Sequence, residues 1–556
     1  MTEPDLVADD LESEKEAPPR PRGRLRFDSW LDAPMATWST RIEAARSSRV
    51  AWPVLYGGIF VAQAAMLLLA GRNQWYFFDE WRLIVERVTD PGDVNLFERL
   101  FRPDGEHVIA LPLALFIVLA NLGGLDSYWL FVIANVLVRL ATLWVADDIV
   151  RRLGGRRIAR LMVLVSIAFF GEGNESLFGQ SLIFAGLTLV FSLLAVRGAI
   201  RDDVSLVRAT SVATVFLVAA VFSTSYAFPV VLAVALILAL TRGIVPGLVA
   251  LLVPPLTFLA VRALAGGSYS EQQEISPRFA GAYVDYVQVG LTSVGEGVTG
   301  LVGMGLASFV ALVAISIVVS RERRAFVLAA ALTLAVVAFF GQASLSRSAL
   351  GAGQAASTRY LFFCGVLVLV MLGSTWATRR ISPRLAGVVA VLFAVSLSNH
   401  VGRLADGYDF FIPKMQLSQD RLLVGFIVQD DFAQFVPDPD WAPDLRLERL
   451  DAVAAWSGSE QFLVDGQACF DDWVDALDDT GIDLSSLSDE EIAALVILLN
   501  EHSLGYGVQG ATLGDLVGFA AAGGSGSTVL DQLSAIYTEL ADRIGANPAV
   551  PSLSRC

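Results

Sequence analysis

Between Ala51 and His400 long apolar blocks alternate with short polar segments. Reading each block as a helix gives spans at 51–71, 127–150, 158–171, 177–197, 208–223, 226–241, 244–264, 299–320, 324–342, 359–377 and 383–400. Most come close to the ~20 residues that cross a bilayer core. A further apolar block, HVIALPLALFIVLANLGGL at 107–125, contains Pro112 and breaks at Gly123–Gly124. It reads as a short helix lying along the membrane surface. The pattern predicts an all-α polytopic membrane protein with about eleven transmembrane helices and juxtamembrane helices on one face.

Basic clusters set the expected orientation. Arginines gather at 41–49, 151–160, 197–208, 242, 321–324 and 379–384. Basic residues favour the cytoplasmic side. If 107–125 stays at the interface, every cluster falls inside; if it spans, the group at 151–157 falls outside. The amino terminus is therefore expected inside, with residues 1–49 a charged, disordered cytoplasmic tail and 51–71 an uncleaved signal anchor. The loops 72–126, 172–176, 224–225, 265–298 and 343–358 then lie outside, as does everything after 401.

Composition agrees with this division. Mean hydropathy is +0.58, 54% of residues are hydrophobic and 17% charged, against about a quarter charged in ordinary soluble domains. The net charge of −16 is uneven: residues 401–556 carry 26 acidic and 7 basic side chains, −19 of it, leaving +3 for the rest. Nothing is basic enough for nucleic acid. Residues 401–556 read as a small, mainly helical, acidic extracytoplasmic domain. In it Ser488 and Glu491 have capping-box spacing, and Val529, Leu530, Leu533, Ile536, Tyr537 and Leu540 follow a helical period. Cys469 and Cys556 could pair there in an oxidising compartment; Cys364, inside an apolar run, reads as a core residue.

Candidate chemistry collects in the expected outer loops. GRNQWYFFDEWRLI ends the first span with Asp79 and Glu80, and RPDGEH adds Glu106 and His107. FFGEGNESLFGQ supplies Glu172, Asn174, Glu175 and Gln180; the stretch from Ser344 to Phe363 supplies Arg347, Arg359 and Tyr360. Each has a plainer reading: a solvated acid pair, a hairpin cap, a snorkelling arginine, and Trp75, Tyr76 and Trp81 as an interfacial belt. Their concentration on one face favours a shared task, because charges near membrane depth need partners or a wet cavity. Two carboxylates allow one to act as base while the other orients it. An arginine fork suits phosphate oxygens. No P-loop is present, and the outside of a bacterial membrane holds no nucleotide pool, so an activated sugar would have to arrive on a lipid carrier.

These segments, with FFDEW, RPDGEH, the 107–152 stretch ending VADDIVRRLGG, and STRYLFF, resemble the GT-C superfamily of integral membrane glycosyltransferases over residues 50–400. The resemblance implies a polyprenyl-phosphate sugar donor and a glycan, lipid or protein acceptor in the cell envelope, hence a role in cell-wall biosynthesis. It implies inverting transfer, with Asp79 or Glu80 as the general base, Glu106 and His107 near the acceptor or base, and Arg359 facing the donor phosphate. A divalent cation could sit on paired carboxylates, though the resemblance implies none is required. The pair here is Asp-Glu where some relatives have two aspartates. The competing readings are a lipid or polysaccharide transporter or flippase, and a non-catalytic scaffold of the same fold.

Overall fold

A computed structural model describes residues 50–77, 79–89, 94–104, 107–125, 127–178, 183–265, 280–320, 322–376, 383–427 and 450–457. The chain forms two compact units, 1–57 and 58–556. Of the first, only the opening turns of a helix are described, with the Trp52 and Tyr56 rings 6.3 Å apart. All that follows concerns the second unit.

The regular secondary structure of the described residues is helical, apart from one isolated β-bridge between Asp104 and His107. In chain order the helices are α1 Ala51–Gly71, α2 Asp79–Leu83, α3 Leu96–Phe101, α4 Ala110–Gly123, α5 Trp129–Arg152, α6 Arg157–Ala168, α7 Asn174–Phe178, α8 Ile183–Ile200 and α9 Leu206–Val221. There follow α10 Phe228–Arg242, α11 Ile244–Ala265, α12 Ala280–Thr299, α13 Gly305–Val319, α14 Arg323–Arg347, α15 Thr358–Trp376, α16 Pro383–Ile427 and α17 Leu450–Ser457. Among the described residues 8 helices are long and apolar enough to cross a membrane, and Ala110–Gly123, Leu206–Val221 and Gly305–Val319 are shorter apolar helices. This is the architecture of a membrane protein.

Local chemistry explains several boundaries. Asn95 opens α3 with a capping box: its Oδ1 accepts the Glu98 N–H at 3.0 Å while Glu98 Oε2 accepts the Asn95 N–H at 3.3 Å. Ser205 caps α9 through the Arg208 N–H. Gly243, at φ +119, lets α10 reverse into α11 after a single residue, a conformation closed to side chains with a Cβ.

Packing follows apolarity. α15 is buried on nearly every side, from Tyr360 to Thr375. A second core surrounds α4 and the start of α5, where Trp75, Tyr76, Trp81, Ile84, Leu113, Phe116, Tyr128 and Phe131 cluster. The tryptophans and tyrosine expected in an interfacial belt are instead buried here. Their polar tips are satisfied inside: Trp75 Nε1 donates to the Leu125 carbonyl (3.2 Å), Tyr76 Oη to that of Gly124 (2.7 Å) and Trp81 Nε1 to that of Tyr76 (3.3 Å). α4 buries one face against this core and exposes Leu111, Val118 and Leu122 on the other.

Three segments differ from the sequence reading. The 158–171 block yields a helix of 12 residues, α6, which ends at Ala168 and is followed by a single 3-10 turn at Gly171–Gly173. The expected loop 265–298 contains a helix of 20 residues, α12. The block expected to end at 400 continues without interruption to Ile427. Leu404, Tyr408, Phe411, Ile412 and Met415 keep a helical stripe beyond residue 400 and pack on Leu67, Phe77 and Phe178. Further along, α17 returns to the α4 core, placing buried Val453 in it and bonding Trp456 Nε1 to Asn121 Oδ1 at 3.1 Å. The helical patterns after 488 and both Cys469 and Cys556 lie outside the described residues.

The bundle has two chemically different ends. α5 starts beside the acid-bearing α2 and finishes at Arg151 and Arg152, 24 residues later, roughly 36 Å along its axis. At the far end Asp148 binds Arg151, Arg152 and Arg197, and Asp147 binds Arg160 at 2.5 Å.

Candidate active site

The chain leaves α1 in a non-helical stretch, held to the end of α7 by Gln74 Nε2 donating to the Phe178 carbonyl at 3.0 Å. This delivers Asp79 and Glu80 to α2, where the helix turn sends them in different directions. Glu80 is fully buried. Its carboxyl accepts from the Phe77 N–H (3.0 Å), and the Tyr128 hydroxyl lies 2.8 and 2.9 Å from its two oxygens. Burial raises its pKa to about 8, despite the opposing hydrogen bonds. Near neutral pH it is mostly a protonated acid inside an aromatic box.

Asp79 is 40% exposed and faces Arg82 Nη2 at 3.6 Å. The same Nη2 reaches Asp104 Oδ2 at 3.0 Å. Asp104 is held by its backbone pairing with His107, Asp104 N to His107 O at 2.7 Å and the reverse bond at 3.0 Å. Behind it, Arg87 donates to the carbonyls of Arg99, Arg102 and Pro103 and fixes the approach to the turn. Burial raises the Asp104 carboxyl, against the pull of Arg82.

His107 joins this turn to the transmembrane bundle. Its Nδ1 lies 2.7 Å from Ser225 Oγ, and its ring stands edge-on to Tyr226 at 5.4 Å. Burial, reinforced by the positive charges of Arg347 and Arg359, lowers its pKa to about 3. The imidazole is therefore neutral across the physiological range.

Arg359, in the first turn of α15, has Nη1 3.5 Å from Glu175 Oε1. Glu175 Oε2 accepts from Thr358 Oγ1 at 3.0 Å and Ser357 Oγ at 3.3 Å. Tyr226, Glu175, Tyr360 and Asp79 all lie within electrostatic range of the Arg359 guanidinium. Tyr360 is buried against Tyr226 and Phe339. So Asp79, His107, Glu175, Arg347, Arg359 and Tyr360 come together from four separate parts of the sequence, while Glu80 turns into the core behind them.

Glu172 and Asn174 turn the other way, toward α16. Glu172 Oε2 meets Arg403 Nη1 at 2.5 Å, and Asn174 Nδ2 donates to the Arg403 carbonyl at 3.4 Å. Glu106 and Gln180 lie outside the described residues. Arg82 and Asp104 join the cluster from within GRNQWYFFDEWRLI and RPDGEH, though neither stands among the sequence candidates. Ser225 and Arg403 are likewise brought in by the fold. Arg403 was legible through the apolar stripe that carries α16 past residue 400; Ser225, a lone serine in a short loop, had no comparable signal.

Comparison of the chain with protein-family models, with curated proteins and with solved structures finds no match.

Proposed function

We propose that the protein is an inverting membrane glycosyltransferase of the GT-C type, moving a sugar from a polyprenyl-phosphate donor to a cell-envelope acceptor. In this reading the spans number about eleven, counting α6, α9 and α13 with the 8 long apolar helices as crossings and leaving α4 along the outer interface. The amino terminus is cytoplasmic, and the acid-bearing end of the bundle and the carboxyl-terminal region are outside. The arginine-rich far end of α5 supports that orientation.

The observation that carries the reading is the division of labour within the acid cluster: an accessible Asp79 beside a buried, largely protonated Glu80, with Arg359 in range. Asp79 is the general base. It takes the proton of an acceptor hydroxyl; the hydroxyl oxygen forms a bond to the anomeric carbon as the bond from that carbon to the phosphate oxygen breaks. The leaving polyprenyl phosphate keeps the electron pair, and Arg359 with Arg347 offsets its charge. Glu80 anchors α2 to Tyr128 and turns into the core, leaving Asp79 as the carboxylate of the pair that faces the site. Neutral His107, bonded to Ser225, positions its partner Asp104.

The test is transfer by the purified protein in lipid nanodiscs, using a panel of polyprenyl-phosphate sugars and envelope glycan acceptors. Asp79→Asn should lower turnover by roughly 10²–10⁴-fold, the usual contribution of a general base. Glu80→Gln should retain most activity. Equal rates for wild type and Asp79→Asn would reject Asp79 as the base.

A further inference from the structure

A cavity with polar lining opens on the other face of the segment that carries Glu175. It measures about 270 Å³ and lies between α12, α16 and the turn at Gly171–Gly173. That is near the lower bound of about 300 Å³ for drug-sized pockets, more suited to one small ring than to a lipid chain.

Its lining combines three carboxylates, Glu172, Glu296 and Asp406, with Arg403 and His400. Two are already engaged: Glu172 by Arg403, and Glu296 Oε1 by the Gly303 N–H at 2.8 Å. His400 is 97% buried, with 3% of its surface exposed. Its Nδ1 accepts the Gly171 N–H at 3.3 Å, so the proton of the neutral ring sits on Nε2. Among the described residues that second nitrogen makes no hydrogen bond, and its residue lines the cavity. The wall is closely built: a Cβ on Gly171 would lie 2.1 Å from the His400 carbonyl oxygen, and one on Gly297 would lie 2.9 Å from Glu172 Cγ.

The donor and acceptor inventory selects the ligand. An anion would meet three carboxylates and only one guanidinium. An ammonium group has donors only, and would leave the His400 Nε2–H unsatisfied. Among the described residues no group of three or more His, Cys, Asp or Glu is placed to hold a metal ion. Hydroxyls both donate and accept, answering the carboxylate oxygens and the imidazole N–H together. We propose that this cavity binds a neutral, hydroxyl-rich ring, a single sugar residue, at a site separate from the Asp79–Arg359 cluster. The proposal goes beyond the transfer reaction and does not depend on it, because binding is read without turnover.

Saturation-transfer NMR on the full-length protein in nanodiscs would test it, with methyl glycosides of neutral hexoses and pentoses as probes and ethanolamine as the cationic control. At least one glycoside should bind. Asp406→Asn and His400→Phe should each weaken it by about tenfold or more. Gly402→Leu, at a lining position where a Cβ meets nothing within 4 Å, should fill the cavity and abolish binding without disturbing the fold. Asp79→Asn should leave binding unchanged. Absence of glycoside binding to wild type, binding insensitive to Gly402→Leu, or ethanolamine binding in place of glycosides would each overturn the proposal. Loss of transfer in Asp79→Asn with glycoside binding intact would separate this site from the reaction centre.

Discussion

Glu80 is buried and His107 half-buried, both in neutral forms the fold favours, and they respond to pH with opposite sign. Glu80 has its pKa raised from 4.5 to about 8 by burial. Its stabilising effect is complete below about pH 4.5 and is lost as pH rises toward 8, at ~1.4 kcal/mol per pH unit within that window. His107 has its pKa lowered from 6.5 to about 3, so its contribution is present above 6.5 and lost as pH falls toward 3. Between 4.5 and 6.5 the two slopes oppose each other. Above 6.5 only the Glu80 slope of this pair remains. Thermal unfolding in detergent should therefore show wild type losing stability from pH 6.5 to 8 relative to Glu80→Gln. Parallel curves for the two proteins across that window would mean that Glu80 is ionised in the fold.

The segment 171–178 depends on glycine for its close contact with α16. At Gly171 the neighbouring backbone of His400 leaves no room for a Cβ, and at Gly407 a Cβ would lie 2.4 Å from that of Asn174. This approach brings Glu172 to Arg403 on one side while leaving Glu175 for Arg359 on the other. Gly171→Ala should push the two elements apart and cost about 1–3 kcal/mol, the usual penalty of overpacking, read as a lowered Tm. Gly341→Ala is the control: it sits within α14 with nothing within 4 Å of the added Cβ. It should stabilise by about 0.5–1 kcal/mol through helix propensity. If both variants unfold at the wild-type temperature, the close contact between 171–178 and α16 contributes little.

The asymmetry of the bundle can be tested for the protein as a whole. The Asp202–Asp203 loop lies near the arginine-rich end, where Arg324 and Arg201 pair with these two acids. Gly353 sits in the loop before Arg359, near the opposite end, with an open surface. In a background with Cys469 and Cys556 replaced by Ser, Cys364 remains buried. Gly353→Cys should react with a membrane-impermeant maleimide on intact cells, and Asp202→Cys only after permeabilisation. The reverse pattern would invert the proposed orientation and place the Asp79 cluster in the cytoplasm.

Much of the helical architecture was legible because apolar runs leave little choice of structure: a bilayer requires internally satisfied backbone, and helices provide it. The 21-residue run of α1 and the 22-residue run of α11 appear nearly as read. α12 was missed because its polar positions, Asp285, Gln288 and Glu296, make it less apolar than a typical span. The end of α16 was misplaced because acidic residues after 400 dominate the composition, although the apolar stripe persists on one face. At the site, sequence could nominate Asp79, Glu80, Glu175 and Arg359 as chemistry-bearing residues. Their different environments arose from packing: one turn of α2 sends Glu80 into Tyr128 and leaves Asp79 near solvent. Glu172 and Glu175 stand three positions apart, yet their partners, Arg403 and Arg359, belong to different helices. Residue type and hydrophobic period are encoded along the chain, but burial and partner choice depend on which distant helices pack together.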